Sequence, residues 1–86
     1  VRLLGRRRTA HHVVLVTRQG CHACHEAEAL VAAAAGRAGA TYEEVDVDLD
    51  PADTELWGHK VPVVLIDGAV HAIWGIDEGE LRRALR

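Results

Sequence analysis

Two cysteines, Cys21 and Cys24, are the only ones in the chain, and they fall where a β-branched run meets an alanine-rich stretch. The run His12-Val13-Val14-Leu15-Val16-Thr17 is apolar without alternation, as expected of a central strand covered on both faces. Gly20 then permits a sharp turn. From Cys21 to Ala38 the positions Cys24, Ala27, Leu30, Val31, Ala34 and Ala38 recur at three- and four-residue spacing and mark the inner face of a helix. Glu26 and Glu28 fall in its early turns, where negative charge suits the helix dipole. A strand that delivers Cys-x-x-Cys to a helix start is a placement for thiol–disulfide chemistry.

The rest of the chain completes a definite order. Tyr42 to Asp48 alternates apolar and acidic positions, with Tyr42, Val45, Val47 and Leu49 as the apolar set, and predicts a second strand. Asp50-Pro51 supplies a cap and a first-turn proline for a short helix through Trp57, which Gly58 ends. Val61 to Ile66 and Ala69 to Ile73 are strands joined by Asp67-Gly68, a tight-hairpin signal. Asp77 and Glu80 open a last helix with Leu81, Ala84 and Leu85 facing inward. The order β-α-β-α-β-β-α requires a parallel crossover at the front and an antiparallel hairpin behind, which one four-stranded mixed sheet flanked by helices accommodates.

At 86 residues the chain reads as one domain, residues 1–86, with a single small core. A net charge of -3 with both signs present implies neither a nucleic-acid nor a membrane partner. Arg2, Arg6, Arg7 and Arg8 have the charge of a targeting segment, but no apolar stretch of about 7–15 residues follows. Residues 1–10 are therefore expected to be a flexible basic tail rather than a phosphate or RNA patch, and the chain to be cytoplasmic and not exported. Nine arginines, one lysine and fourteen alanines are what a GC-rich genome writes. Two cysteines are too few for a disulfide scaffold, which leaves redox chemistry, metal binding or simple burial.

The chemistry needs a stabilised thiolate, since a free thiol of pKa ~8.5 is mostly protonated at neutral pH. At a helix N-terminus Cys21 meets unpaired N–H groups and the positive end of the dipole. Arg18 and the imidazoles of His22 and His25 are candidates to add charge. His22 is either a tuning group inside the motif or an exposed loop histidine, and His25 equally points to solvent. Cys21 is read as the nucleophile and Cys24, one turn further on, as the resolving thiol.

Three landmarks in order carry a resemblance over nearly the whole chain: Cys21-His22-Ala23-Cys24 at a strand-to-helix junction, Val61-Pro62 opening the third strand, and Trp74-Gly75-Ile76-Asp77 before the last helix. With them the chain resembles the thioredoxin superfamily, and within it the small glutaredoxin-like proteins. The resemblance implies a thioredoxin-like α/β fold, a cis Pro62 beside the Cys21 loop, and a Val61 backbone free to pair with an extended substrate. It also implies a disulfide oxidoreductase acting on protein or mixed disulfides, with glutathione, another low-molecular-weight thiol or a thioredoxin-type reductase as electron donor, and a monomer without a bound cofactor or metal.

The match weakens at the glutathione positions. Arg18 stands at the basic position that precedes the motif in glutaredoxins, Lys60-Val61-Pro62 replaces Thr-Val-Pro, and Trp74-Gly75-Ile76-Asp77 replaces Gly-Gly-x-Asp. Asp77 is equally explained as a helix cap. Trp74 either blocks the groove or gives it a different apolar wall. The motif also lacks the proline and aromatic of Cys-Pro-Tyr-Cys. Two other readings stay open: a metal or iron–sulfur protein using Cys21, His22, Cys24 and His25, and a non-catalytic thioredoxin-like interaction module.

Overall fold

The computed structural model describes residues 10–86, so the expected basic tail lies outside the described residues except for Ala10. Four strands and three helices follow in order: β1 (His12–Thr17), α1 (His22–Ala38), β2 (Thr41–Asp46), α2 (Pro51–Trp57), β3 (Val63–Ile66), β4 (Ala69–Ile73) and α3 (Glu78–Ala84). The strands form one sheet in the order β2-β1-β3-β4. β1 runs parallel to β2 and antiparallel to β3, and β4 returns antiparallel beside β3. This is the mixed four-stranded α/β sheet of the thioredoxin-like class, as the element order predicts.

Side chains alternate across a strand, so a central strand feeds two cores. Val13 and Leu15 of β1 join Val64 of β3 against Ala27, Val31, Ala34 and Ala35 of α1, with Leu81 and Leu85 from the end of the chain. On the other face Val16, Val63 and Val47 form a smaller cluster, with Val14, Leu65, Ile73 and Trp57 packed against it. An unbroken apolar β1 is the sequence trace of this double cover. The small alanines of α1 let the helix lie close to the sheet, and an Arg37–Glu78 ion pair at 3.2 Å joins its last turn to the start of α3.

The local signals act where they stand. Asp50 accepts from the Ala52 N–H at 2.9 Å and Asp77 from the Glu80 N–H at 2.8 Å, each capping its helix. Asp67 and Gly68 take φ of 53° and 85°, the two left-handed residues of a type I′ hairpin.

Five details differ from the sequence expectation. The third strand begins at Val63 rather than Val61, since Pro62 has no N–H to give to a ladder. The second strand stops at Asp46, whose carboxylate accepts from the Asp48 N–H at 2.9 Å and turns Val47–Leu49 into a 3-10 helix. Val47 is buried by that turn, whereas Leu49 is 82% exposed. Ala38 and Ala84, expected to face inward, are exposed: at Ala38 the chain is leaving α1, and beside Ala84 the buried Leu81 and Leu85 carry the inward side of the last turn. The first turn of α1 carries no acid: Glu26 and Glu28 lie beyond it.

Candidate redox site

β1 ends in the middle of the sheet, and the turn after it, with Gly20 at φ 77°, directs the chain into α1. Cys21 is the residue that caps α1: its backbone is extended, and its sulfur accepts from the Cys24 N–H at 3.1 Å, where a serine or aspartate oxygen commonly sits. The absence of a first-turn carboxylate leaves this positive helix end to the sulfur. Cys21 and Cys24 are joined by a disulfide, with their Cα atoms 5.2 Å apart.

The two sulfurs sit in different environments. Cys21 is partly exposed, while Cys24, turned inward one helical turn on, is 1% exposed. Attack from solvent is therefore open to one member of the pair and closed to the other.

The structure distributes the remaining predicted residues around this pair. Val61-Pro62 is a cis peptide, and Pro62 is buried beside Ala23 at the start of α1. Among the described residues no backbone hydrogen bond engages Val61, while on either side of it the carbonyls of Lys60 and Pro62 both accept from the Trp74 N–H, at 3.1 and 3.0 Å. Trp74 takes a φ of 67°, and Gly75 and Ile76 continue the wall it begins. Asp77 points its carboxylate at its own helix as the cap.

The charged residues are placed less directly. Arg18 donates its Nε and Nη2 to the two oxygens of Asp48, at 2.9 and 3.1 Å, and its Nη1 to the carbonyl of Gly58 at 3.0 Å. Its side chain thus clamps the 3-10 turn and the end of α2 to the foot of the redox loop, and its carbonyl accepts from the Cys21 N–H at 3.2 Å. Lys60 lays its Nζ over the Trp57 ring, 5.7 Å from the centroid. His22 is 86% exposed, with Nε2 3.4 Å from Glu26, and His25 is 82% exposed, with Nδ1 3.5 Å from Glu28. Among the described residues no three His, Cys, Asp or Glu side chains gather into a metal-binding group.

Sequence reasoning missed Asp48 and Gly58, the partners of Arg18. Gly58 is buried, and a Cβ there would stand 2.5 Å from the Thr54 carbonyl oxygen and 3.4 Å from Nη1 of Arg18. It also missed His59, whose carbonyl accepts from the Trp74 indole N–H at 2.8 Å. Neither contact leaves a short-range pattern, since the partners lie 15 to 40 residues apart.

A partly exposed cysteine capping a helix, bonded to a buried one and flanked by a cis-proline loop, defines a thioredoxin-fold protein with a redox-type dithiol pair. The sequence family agrees. A profile of the glutaredoxin-like domain (DUF836) matches residues 12–86, and the chain belongs to that family. An uncharacterized protein of Mycobacterium tuberculosis is 35% identical over 75 residues, covering 81% of this chain and 77% of the relative. Among solved structures, a structural-genomics target protein from X. campestris superposes with a TM-score of 0.68 at 34% identity, over 85% of this chain and 93% of that one. A mutant thioredoxin from Halobacterium salinarum gives 0.68 at 22% identity over 87% and 71%, and glutaredoxin 1 from Francisella tularensis gives 0.51 at 22% over 86% and 91%. These last two likenesses are of fold.

Proposed function

We propose that this chain is a dithiol–disulfide oxidoreductase that reduces protein or mixed disulfides through Cys21 and Cys24. The observation that carries the reading is the asymmetry of the pair, one sulfur partly exposed at a helix N-terminus and the other 1% exposed. In the reduced protein the Cys21 thiolate attacks one sulfur of a substrate disulfide and expels the other, which leaves as a thiolate and takes up a proton. Cys24 then gives up its proton and attacks Cys21, forming the internal disulfide and releasing the second substrate thiol. The protein loses two electrons and the substrate disulfide gains them. Proximity favours the second step, because Cys24 is one turn away and already within bonding reach.

The helix end stabilises the sulfur anion that forms at Cys21 in each direction. The unengaged Val61 backbone offers an extended substrate strand a hydrogen-bonding edge, and Pro62 after it lies beside Ala23 of the cysteine motif. Reduction of the internal disulfide falls to a low-molecular-weight thiol or a thioredoxin-type reductase, and the working form is a cytoplasmic monomer.

A redox-buffer titration, quenched by alkylation and read by mass, tests the reading. A single two-electron transition between roughly -180 and -280 mV is expected. Failure to form the internal disulfide anywhere in that range overturns it.

A further inference from the structure

A groove of about 190 Å³, reaching Ala23 between the two cysteines, runs between α1 and the loop that precedes α3. Ala23, Leu30, Pro62, Trp74 and Ile76 line it with apolar side chains, polar atoms make up nearly half of its surface, and among the described residues Glu26 is its one ionisable side chain. No cation lines it. The two that stand in sequence where a carboxylate-ended tripeptide would be held are directed elsewhere: Arg18 is spent on Asp48 and Gly58, and Lys60 lies over Trp57.

Trp74 is held in this wall at a cost. A non-glycine residue at φ 67° is disfavoured by about 1–2 kcal/mol. Its backbone N–H is shared by the Lys60 and Pro62 carbonyls and its indole N–H is fixed on the His59 carbonyl, yet 64% of the residue remains exposed. A strained, immobilised and largely uncovered aromatic on a groove that reaches Ala23, between the two cysteines, is built for contact rather than for the core.

We infer that Trp74 and Glu26 select the substrate: the groove takes an apolar side chain next to the cysteine of a disulfide-bonded polypeptide and turns away anionic disulfides such as that of glutathione. The inference rests on the oxidoreductase reading and specifies its substrate class. An extended substrate paired with Val61 would lay the side chain adjoining its cysteine against Trp74, Ile76 and Leu30. A carboxylate in the same place would face the Glu26 carboxylate, whose neighbour His22 lies outside the groove's lining.

Single-turnover reduction by the dithiol protein separates the possibilities, using two peptide disulfides that carry valine or aspartate next to each cysteine. The wild type is expected to reduce the valine peptide about tenfold faster, the scale of one apolar side chain in a pocket. Trp74→Gly, which suits the positive φ, should bring the ratio toward one. Glu26→Lys, at an exposed helix position where folding is not at stake, should narrow it by speeding the aspartate peptide. A wild-type ratio near one overturns the inference, and so does a ratio unchanged in either variant. Bis(2-hydroxyethyl) disulfide, which has no flanking residues, reports the dithiol chemistry of the wild type alone. Its reduction without peptide preference overturns only the substrate class, and failure to reduce any of the three disulfides overturns the oxidoreductase reading as well.

Discussion

Arg18 and Asp48 meet in a two-pronged ion pair, at 2.9 and 3.1 Å, that joins the residue three before Cys21 to the turn after β2. Arg18 and Cys21 line one hollow of about 200 Å³, so the pairing decides how much of the guanidinium's charge is left for the sulfur. Asp48→Asn is expected to release that charge and shift the pH at which Cys21 becomes alkylated downward. Both side chains are more than a third exposed, so the stability loss should stay below about 1 kcal/mol. Iodoacetamide labelling against pH and a urea titration read the two effects. An unchanged or raised labelling pH would show that Arg18 acts on the loop through its shape alone.

Burial makes the two thiols unequal. In the reduced wild type, Cys21 should be alkylated at least about tenfold faster than Cys24, since modification requires an accessible thiolate. Peptide mapping after timed quenching measures this. Cys24→Ser should accumulate mixed disulfides on Cys21, and Cys21→Ser should accumulate none; equal adducts in both would remove the assignment of nucleophile and resolver.

Gly58 is required by close approach rather than by a special φ, which is an ordinary helical -55°. The 2.5 Å between a Cβ and the Thr54 carbonyl must be relieved by moving backbone, because the obstruction is not a flexible side chain. Gly58→Ala should therefore cost about 1–3 kcal/mol. A denaturant midpoint indistinguishable from wild type would contradict it.

At the opposite end of the sheet, Asp67 accepts from the His12 N–H at 2.9 Å and pairs with His11 Nδ1 at 2.6 Å. The His11 hydrogen bond first, and the His12 N–H second, hold its carboxyl below its ordinary 3.8. A lowered folded pKa means stabilisation that is present above the unfolded value and lost as pH falls through the folded one. Asp67→Asn, which tolerates the left-handed turn position, should melt below wild type at neutral pH. The two melting temperatures should converge under acid conditions below the ordinary carboxylate range. A gap that persists there would mean the carboxylate charge is not the cause.

What the sequence discloses follows from the range of the interactions involved. β1, the Asp67-Gly68 turn and the Asp50 and Asp77 caps each depend on residues within a few positions, and each is legible. The redox pair is legible for the same reason, because a helix start and its cap are adjacent in the chain. Asp46 is the counterexample: its alternation with Val45 and Val47 reads as strand, but its own carboxylate bonds two residues ahead and ends the strand. Arg18 reads as a cation beside a thiol, and only the folded chain reveals Asp48 and Gly58, 30 and 40 residues on, as its partners. The left-handed Trp74 runs against intrinsic preference and is imposed by three carbonyls from Lys60, Pro62 and His59.

The placement of Trp74 also gives the molecule an optical handle. The chain has only two tryptophans. Trp57 is half-buried against the smaller core and covered by Lys60, so its emission reports on folding. Trp74 stands on the groove that reaches Ala23, between the two cysteines, so in a Trp57→Phe background its fluorescence would follow the arrival of a substrate without any attached dye.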